Sequence, residues 1–174
     1  MQKRVDKINY YLDIAEAVSK RGTCLRANYG SVIVKNDEVI ATGYTGAARG
    51  KVNCLDVGYC VRRKLAKDVK GGARFDLCRS VHSEQNAIIS ASRKDMIGSS
   101  LFIVGKYHDN DLYNKDIKNE YKKDIDSCHF CKRYIINAGI ENVYYRINKT
   151  EYKKIDVKEW IDVDELLEGK EGYK

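Results

Sequence analysis

Two short patterns carry residue types that together can run metal-assisted hydrolysis: His82-Ser83-Glu84 and Cys128-His129-Phe130-Cys131. Each falls where a helix is expected to begin, and helix N-termini offer unpaired N–H groups and a partial positive charge. Thiolates are stabilised there, and zinc binds the thiolate rather than the thiol. A CxxC pair bites one ion, and a histidine from a neighbouring helix supplies a third ligand. His82, Cys128 and Cys131 would leave the fourth tetrahedral position to water, which marks a catalytic zinc rather than a closed structural one. Glu84, two residues after His82, then stands beside that water as a proton shuttle, with zinc drawing the water's pKa toward ~7. A lone CxxC is equally compatible with redox chemistry, a structural metal or chance, and a lone HxE says less; the pair carries the signal. His129, between the two cysteines, is expected at the solvent or the pocket rim rather than on the metal.

The elements that must position these residues follow from periodicity. Ile8, Tyr11, Leu12, Ala15 and Val18 share one side of a helix over 5–20, ended by Arg21-Gly22. Segments 30–35 and 38–43 flank Asn36-Asp37 and read as a hairpin with a tight turn. From Tyr44 to Leu77 no period is clear, and a long loop with one short helix over 61–67 is expected. His82 to Arg93 reads as a helix packed on a sheet, with Arg93 as its C-terminal cation. Residues 101–105 form a buried strand, 106–126 a charged, tyrosine-rich excursion holding His108, and Cys128 to Ala138 a second buried helix closed by Gly139. A strand at 142–147, another from Tyr152 and a short helix over 160–167, with Trp160 as packing, complete the chain. Strands alternating with helices give an α/β layer fold with a parallel portion.

The 174 residues suit one domain, 1–174, able to bury roughly 70% of its unfolded surface without disulfide staples. A net charge of +7 fits nucleic acid, an anionic small substrate or biased composition, and no basic block interleaved with aromatics favours the first. No nucleic-acid partner is therefore expected. Neither an apolar leader core nor a run of roughly 20 apolar residues is present, so the expectation is a cytoplasmic protein off the membrane. In that compartment six cysteines point to metal or catalysis before disulfides.

Over roughly residues 20 to 145 the sequence resembles the deoxycytidylate deaminase family. Thr23-Cys-Leu-Arg-Ala-Asn-Tyr-Gly-Ser-Val-Ile-Val is similar to its opening segment and first strand, and Thr42-Gly-Tyr-Thr-Gly to its TGYNG turn. Asn53-Cys-Leu-Asp-Val-Gly resembles its cysteine-bearing loop. Cys78-Arg-Ser-Val-His-Ser-Glu-Gln-Asn-Ala-Ile is close to its C-x-R-T-x-H-A-E-x-N-A-I, and Cys128-x-x-Cys131 with Asn137-Ala-Gly-Ile matches its second half. The resemblance implies a three-layer α/β/α cytidine-deaminase-like fold with a central five-stranded mixed sheet. It also implies zinc-dependent deamination of a cytosine nucleotide, dCMP to dUMP and ammonia, by a homo-oligomer. Water would add to C4 of the base, while Glu84 carries its proton to N3 and assists departure of ammonia. The rivals are another nucleotide, a nucleoside or an RNA base as substrate, or a non-catalytic zinc-stabilised module.

Four departures from the family pattern stand out. Ser127 replaces the proline that precedes CxxC, Thr45 replaces the asparagine of TGYNG, the stretch from Gly105 to Ser127 is far longer, and Cys78 lies one residue nearer His82. Thr45 and the long stretch bear on substrate, the latter either as a solvated surface or as a lid. Some family members hold a second, structural zinc here, and Cys24, Cys54, Cys60 and Cys78 could close such a site, with Cys54 and Cys78 foremost. Reduced, buried thiols are the alternative. Arg26 and Asn28, just before the first strand, are candidates to meet a phosphate or ribose.

Overall fold

The computed structural model describes residues 4–66, 75–107 and 120–163. At its centre is a five-stranded sheet in the order β2-β1-β5-β6-β7, formed by β1 (Ala27–Lys35), β2 (Glu38–Tyr44), β5 (Ser100–Tyr107), β6 (Asn142–Arg146) and β7 (Tyr152–Asp156). β1 runs antiparallel to both β2 and β5, β5 and β6 are parallel, and β7 returns antiparallel. The sheet is therefore mixed. The hairpin turn sets Asn36 and Asp37 at φ 51° and 66°, a left-handed pair that short polar side chains tolerate. Two-residue strands β3 (Gly46–Ala47) and β4 (Ser80–Val81) pair separately beside it.

Alternation along the strands divides the core between two faces. Val32 and Val34 of β1, with Phe102 and Val104 of β5, meet Tyr11, Leu12 and Ala15 of helix α1 (Lys7–Ser19). Ile33, Leu101 and Ile103 point the other way, onto α4 (Ser83–Ile89) and α6 (His129–Ala138), where Ala87, Cys131 and Ile135 are fully buried. Helices on both faces give three layers. Because β5 and β6 are parallel, the chain between them must cross over, and α6 is that crossover. Gly139 ends α6 at φ 80°, a conformation glycine adopts without penalty. Among the described residues no helix is long and apolar enough to cross a membrane.

The helix expected over His82–Arg93 is two helices, α4 and α5 (Arg93–Met96). Ser90 turns its hydroxyl back to the Asn86 carbonyl, and Ser92 caps α5 by accepting from the Asp95 N–H at 3.2 Å. Serines that bond to local backbone compete with helix propagation. Arg93 consequently opens a helix instead of closing one, and its Nε donates to the Asn137 carbonyl on α6 at 2.9 Å. In the 44–77 stretch there are two short helices, α2 (Cys54–Val57) and α3 (Val61–Ala66), and a 3₁₀ turn at Phe75–Leu77. The terminal helix α7 (Val157–Asp162) starts earlier than expected because Asp156 caps it, accepting from the Lys158 N–H. The remainder of that expected helix, to 167, lies outside the described residues, as does His108.

The site-bearing helix is seated on the sheet without room to spare. A Cβ on Gly43 of β2 would lie 2.2 Å from the Ser83 carbonyl oxygen and 2.3 Å from the Ala87 nitrogen, both backbone atoms of α4. Gly43→Ala should therefore push α4 away and destabilise the protein by about 1–3 kcal/mol or more, read as a lowered denaturation midpoint. An unchanged midpoint would show that this contact is not tight.

Candidate functional site

The N-terminal ends of α4 and α6 meet above the sheet. His82 is the N-cap of α4, Cys128 the N-cap of α6, and Cys131 lies in the first turn of α6. The His82 backbone N–H donates to Gln85 Oε1 at 3.1 Å, which holds the residue at the helix mouth. Its ring Nδ1 then stands 3.4 Å from Cys131 Sγ and 3.6 Å from Cys128 Sγ. All three ligand atoms lie within 4.8 Å of one another, and among the described residues they are the one set of three His, Cys, Asp or Glu groups so placed. Tetrahedral zinc with Zn–S of about 2.3 Å and Zn–N of about 2.0–2.1 Å has S···N edges of about 3.5–3.6 Å. The donor set fits zinc in both chemistry and spacing.

Electrostatics within the trio are uneven. A hydrogen bond from Cys131, aided by His82, holds the Cys128 thiol down at about 4 against the opposing effect of burial. The same bond to Cys128, together with burial, pushes Cys131 up. His82 is raised, first by its bond to Cys128. The trio thus favours a thiolate at Cys128 and proton retention on its neighbours.

Glu84, in the first turn of α4, is only 6% exposed. Its Oε2 accepts from Ser83 Oγ at 3.0 Å and its Oε1 from Ser127 Oγ at 3.1 Å. Behind them, Ser31 Oγ lies 2.8 Å from Ser83 Oγ, and the Tyr145 hydroxyl donates to Ser127 Oγ at 2.9 Å. A buried carboxylate needs such partners to remain charged.

Glu84, His82 and Cys128 line a cavity of about 590 Å³ whose other walls include Arg26, Tyr29, Thr45, Arg62, Tyr107 and Lys122. Burial, then the charge of Glu84, keeps the Tyr29 phenol protonated well beyond its ordinary range. Arg26 is on the wall, with a buried Nε that has no hydrogen-bond partner among the described residues. Thr45 is there too, its Oγ accepting from the Tyr29 N–H at 3.3 Å. Asn28 is off the wall: its Oδ1 accepts from the Cys24 N–H and so closes the local turn. His129 lines the cavity without joining the ligand trio. Cys24, Cys60 and Cys78 are also on the wall, and Cys54 is buried at the start of α2.

Lys122 had no sequence signal beyond membership of a charge run. The return limb of the 106–126 excursion pairs with the end of β5: the Tyr107 N–H donates to the Glu120 carbonyl and the Lys122 N–H to the Gly105 carbonyl. That pairing brings Lys122 between the rings of Tyr107 and Tyr29, at 5.1 and 5.7 Å from their centres. Burial and the nearby Arg26 charge lower its pKa. The tip of the excursion, 108–119, lies outside the described residues. Ser127, which bonds Glu84, and Tyr145, which bonds Ser127, were also missed, since nothing local in the sequence joins them.

Comparison with known proteins accords with this geometry. The family profile described as "Cytidine and deoxycytidylate deaminase zinc-binding region" matches residues 5–147. Deoxycytidylate deaminase of Mycobacterium phage D29 is 32% identical over 146 residues, spanning 82% of this chain and 95% of the relative. The Schizosaccharomyces pombe deoxycytidylate deaminase is 37% identical over 79% of this chain, which spans 36% of that longer protein. Among solved structures, the cyanophage S-TIM5 dCMP deaminase in complex with dCMP and dUMP shares the fold, with a TM-score of 0.52 and 24% identity over 83% of this chain and 84% of that one.

Zinc takes thiolates and neutral imidazole, so loading must expel the protons held at Cys131 and His82. Both groups are raised, so affinity must climb with pH across the range in which those protons are bound. Chelator competition between about pH 6 and 8 should show zinc affinity rising about tenfold or more per pH unit. A flat profile would mean that the ligands are already deprotonated without metal.

Proposed function

The chain belongs to the cytidine and deoxycytidylate deaminase family, and on that footing we propose that it hydrolyses dCMP to dUMP and ammonia. The observation that carries this reading is the buried Glu84, aimed into the cavity beside His82, Cys128 and Cys131. These three residues would hold zinc, which when bound supplies an activated water at neutral pH. Glu84 takes the proton released as water adds to C4 of the cytosine ring and delivers it to N3. It then assists the exocyclic amine, which leaves as ammonia. Each of its oxygens accepts one hydroxyl, so lone pairs remain for this proton traffic.

Arg26 and Lys122 are the phosphate end of this reading. Lys122 has its pKa lowered by burial and then by the Arg26 charge on the same cavity, and a phosphate between the two cations would relieve both effects. A cavity of about 590 Å³ falls within the roughly 300–1,000 Å³ of small-ligand sites. Ammonia release from zinc-loaded protein should be fastest with dCMP when compared with CMP, dCTP, deoxycytidine and an adenosine-containing RNA hairpin. Glu84→Ala should abolish turnover and keep its zinc. Lys122→Ala should raise KM for dCMP about ten- to a hundredfold and leave deoxycytidine turnover unchanged. Activity surviving in Glu84→Ala would exclude the proton shuttle, and salt-dependent binding of the hairpin would favour an RNA substrate.

The four remaining cysteines are proposed to hold a second, structural zinc. Its support is their convergence: burial, then the charges of Cys24, Cys60 and Cys78, raises the Cys54 thiol, and those three share the cavity wall. No three of them lie within 4.8 Å, so the wall would have to tighten around an ion. Elemental analysis should give two zinc ions per chain, and a ratio of one would reject the second site.

A further inference from the structure

Glu84 is clamped from two strands, and the two clamps differ. On one side Ser83, backed by Ser31 of β1, bonds Oε2. On the other, Ser127 bonds Oε1 and is itself tied to Tyr145 of β6 by two contacts: the Ser127 N–H, shared with Asp126 Oδ1 at 2.9 Å, reaches the phenol oxygen at 3.1 Å, and the phenol hydroxyl donates to Ser127 Oγ at 2.9 Å. Ser127 is 4% exposed and Tyr145 fully buried, so water does not substitute for these partners.

The contacts fix the direction of each proton. With the Tyr145 oxygen accepting from a backbone N–H, its own proton goes to Ser127 Oγ. That leaves the Ser127 proton directed at Glu84. Resting on the deaminase reading above, we propose that Ser127 is a positioning residue for Glu84 and that Tyr145 enforces its orientation from behind. The pair sets the angle at which the carboxylate meets the reacting atoms. A proline at 127 would supply neither the N–H nor the hydroxyl, and would strand both the Tyr145 phenol and Glu84 Oε1.

The test uses the zinc-loaded protein. Ser127→Ala should lower kcat for dCMP about ten- to a hundredfold, with zinc content unchanged and with KM and the Kd for dUMP within about twofold. Ser127→Thr, which keeps hydroxyl and N–H, should restore most of the loss. Tyr145→Phe should lower kcat alone and add little in the Ser127→Ala background, because the two act through one bond. A readout independent of turnover is the carboxylate ¹³C resonance of Glu84, assigned by its disappearance in Glu84→Gln. It should move in Ser127→Ala and Tyr145→Phe and return in Ser127→Thr. A protein inactive on dCMP that still shows these shifts would overturn the substrate and keep the clamp. An unmoved resonance, an unchanged kcat in Ser127→Ala, or failure of threonine to rescue would overturn the clamp. Should Ser127→Ala not fold, Tyr145→Phe decides by the same resonance.

Discussion

Holding a buried carboxylate by hydrogen bonds to both of its oxygens while it still lines the cavity is the demand around which this fold is arranged. An unpaired buried carboxylate would give up its charge, and with it the capacity to accept a proton from water. Around Glu84 four hydroxyl groups stand in two relays, Ser31–Ser83 and Tyr145–Ser127, one ending on each of its oxygens. The relays start on β1 and β6, which flank β5 in the sheet. Placement of the reactive group therefore depends on strand register as much as on the helix that bears it.

The same register explains an irregularity in the core. β1 sends Ile33 toward α4 and α6, and two residues earlier the same face presents Ser31, fully buried. A serine there sacrifices apolar contact, and its value lies in the hydroxyl it turns to Ser83. Gly43 on the neighbouring strand lets the α4 backbone approach, and the Asn86 amide donates to the Tyr44 carbonyl at 2.8 Å to hold the helix there. A small residue, a polar residue and a side-chain-to-backbone bond thus fix one end of α4, and His82 and Glu84 inherit their positions from it.

What could be read from the sequence was what is local. The metal trio and Glu84 sit at spacings of two and three residues at helix starts, where helix geometry alone sets direction. The hairpin turn and the α6 stop at Gly139 were legible for the same reason. The break between α4 and α5 was not, because it depends on which backbone groups Ser90 and Ser92 choose to bond. Ser127 showed only as a missing proline; its bond to Tyr145 requires knowing that β6 passes beneath α6. Asn28 was a candidate from its place ahead of the expected first strand; it lies in β1, where its Oδ1 accepts from the Cys24 N–H.

Reaction and substrate are consequently written at different ranges along the chain. The reacting groups come from two compact motifs that any register of the surrounding loops would preserve. The candidate phosphate groups come from Arg26, ahead of the first strand, and Lys122, on the return limb of an excursion after β5. Lys122 reaches the cavity only because that limb pairs with the end of β5 and two aromatic rings cover its stem. A change in excursion length or pairing would move this cation without touching the metal ligands. Substrate choice can then drift in such a chain while its chemistry stays fixed.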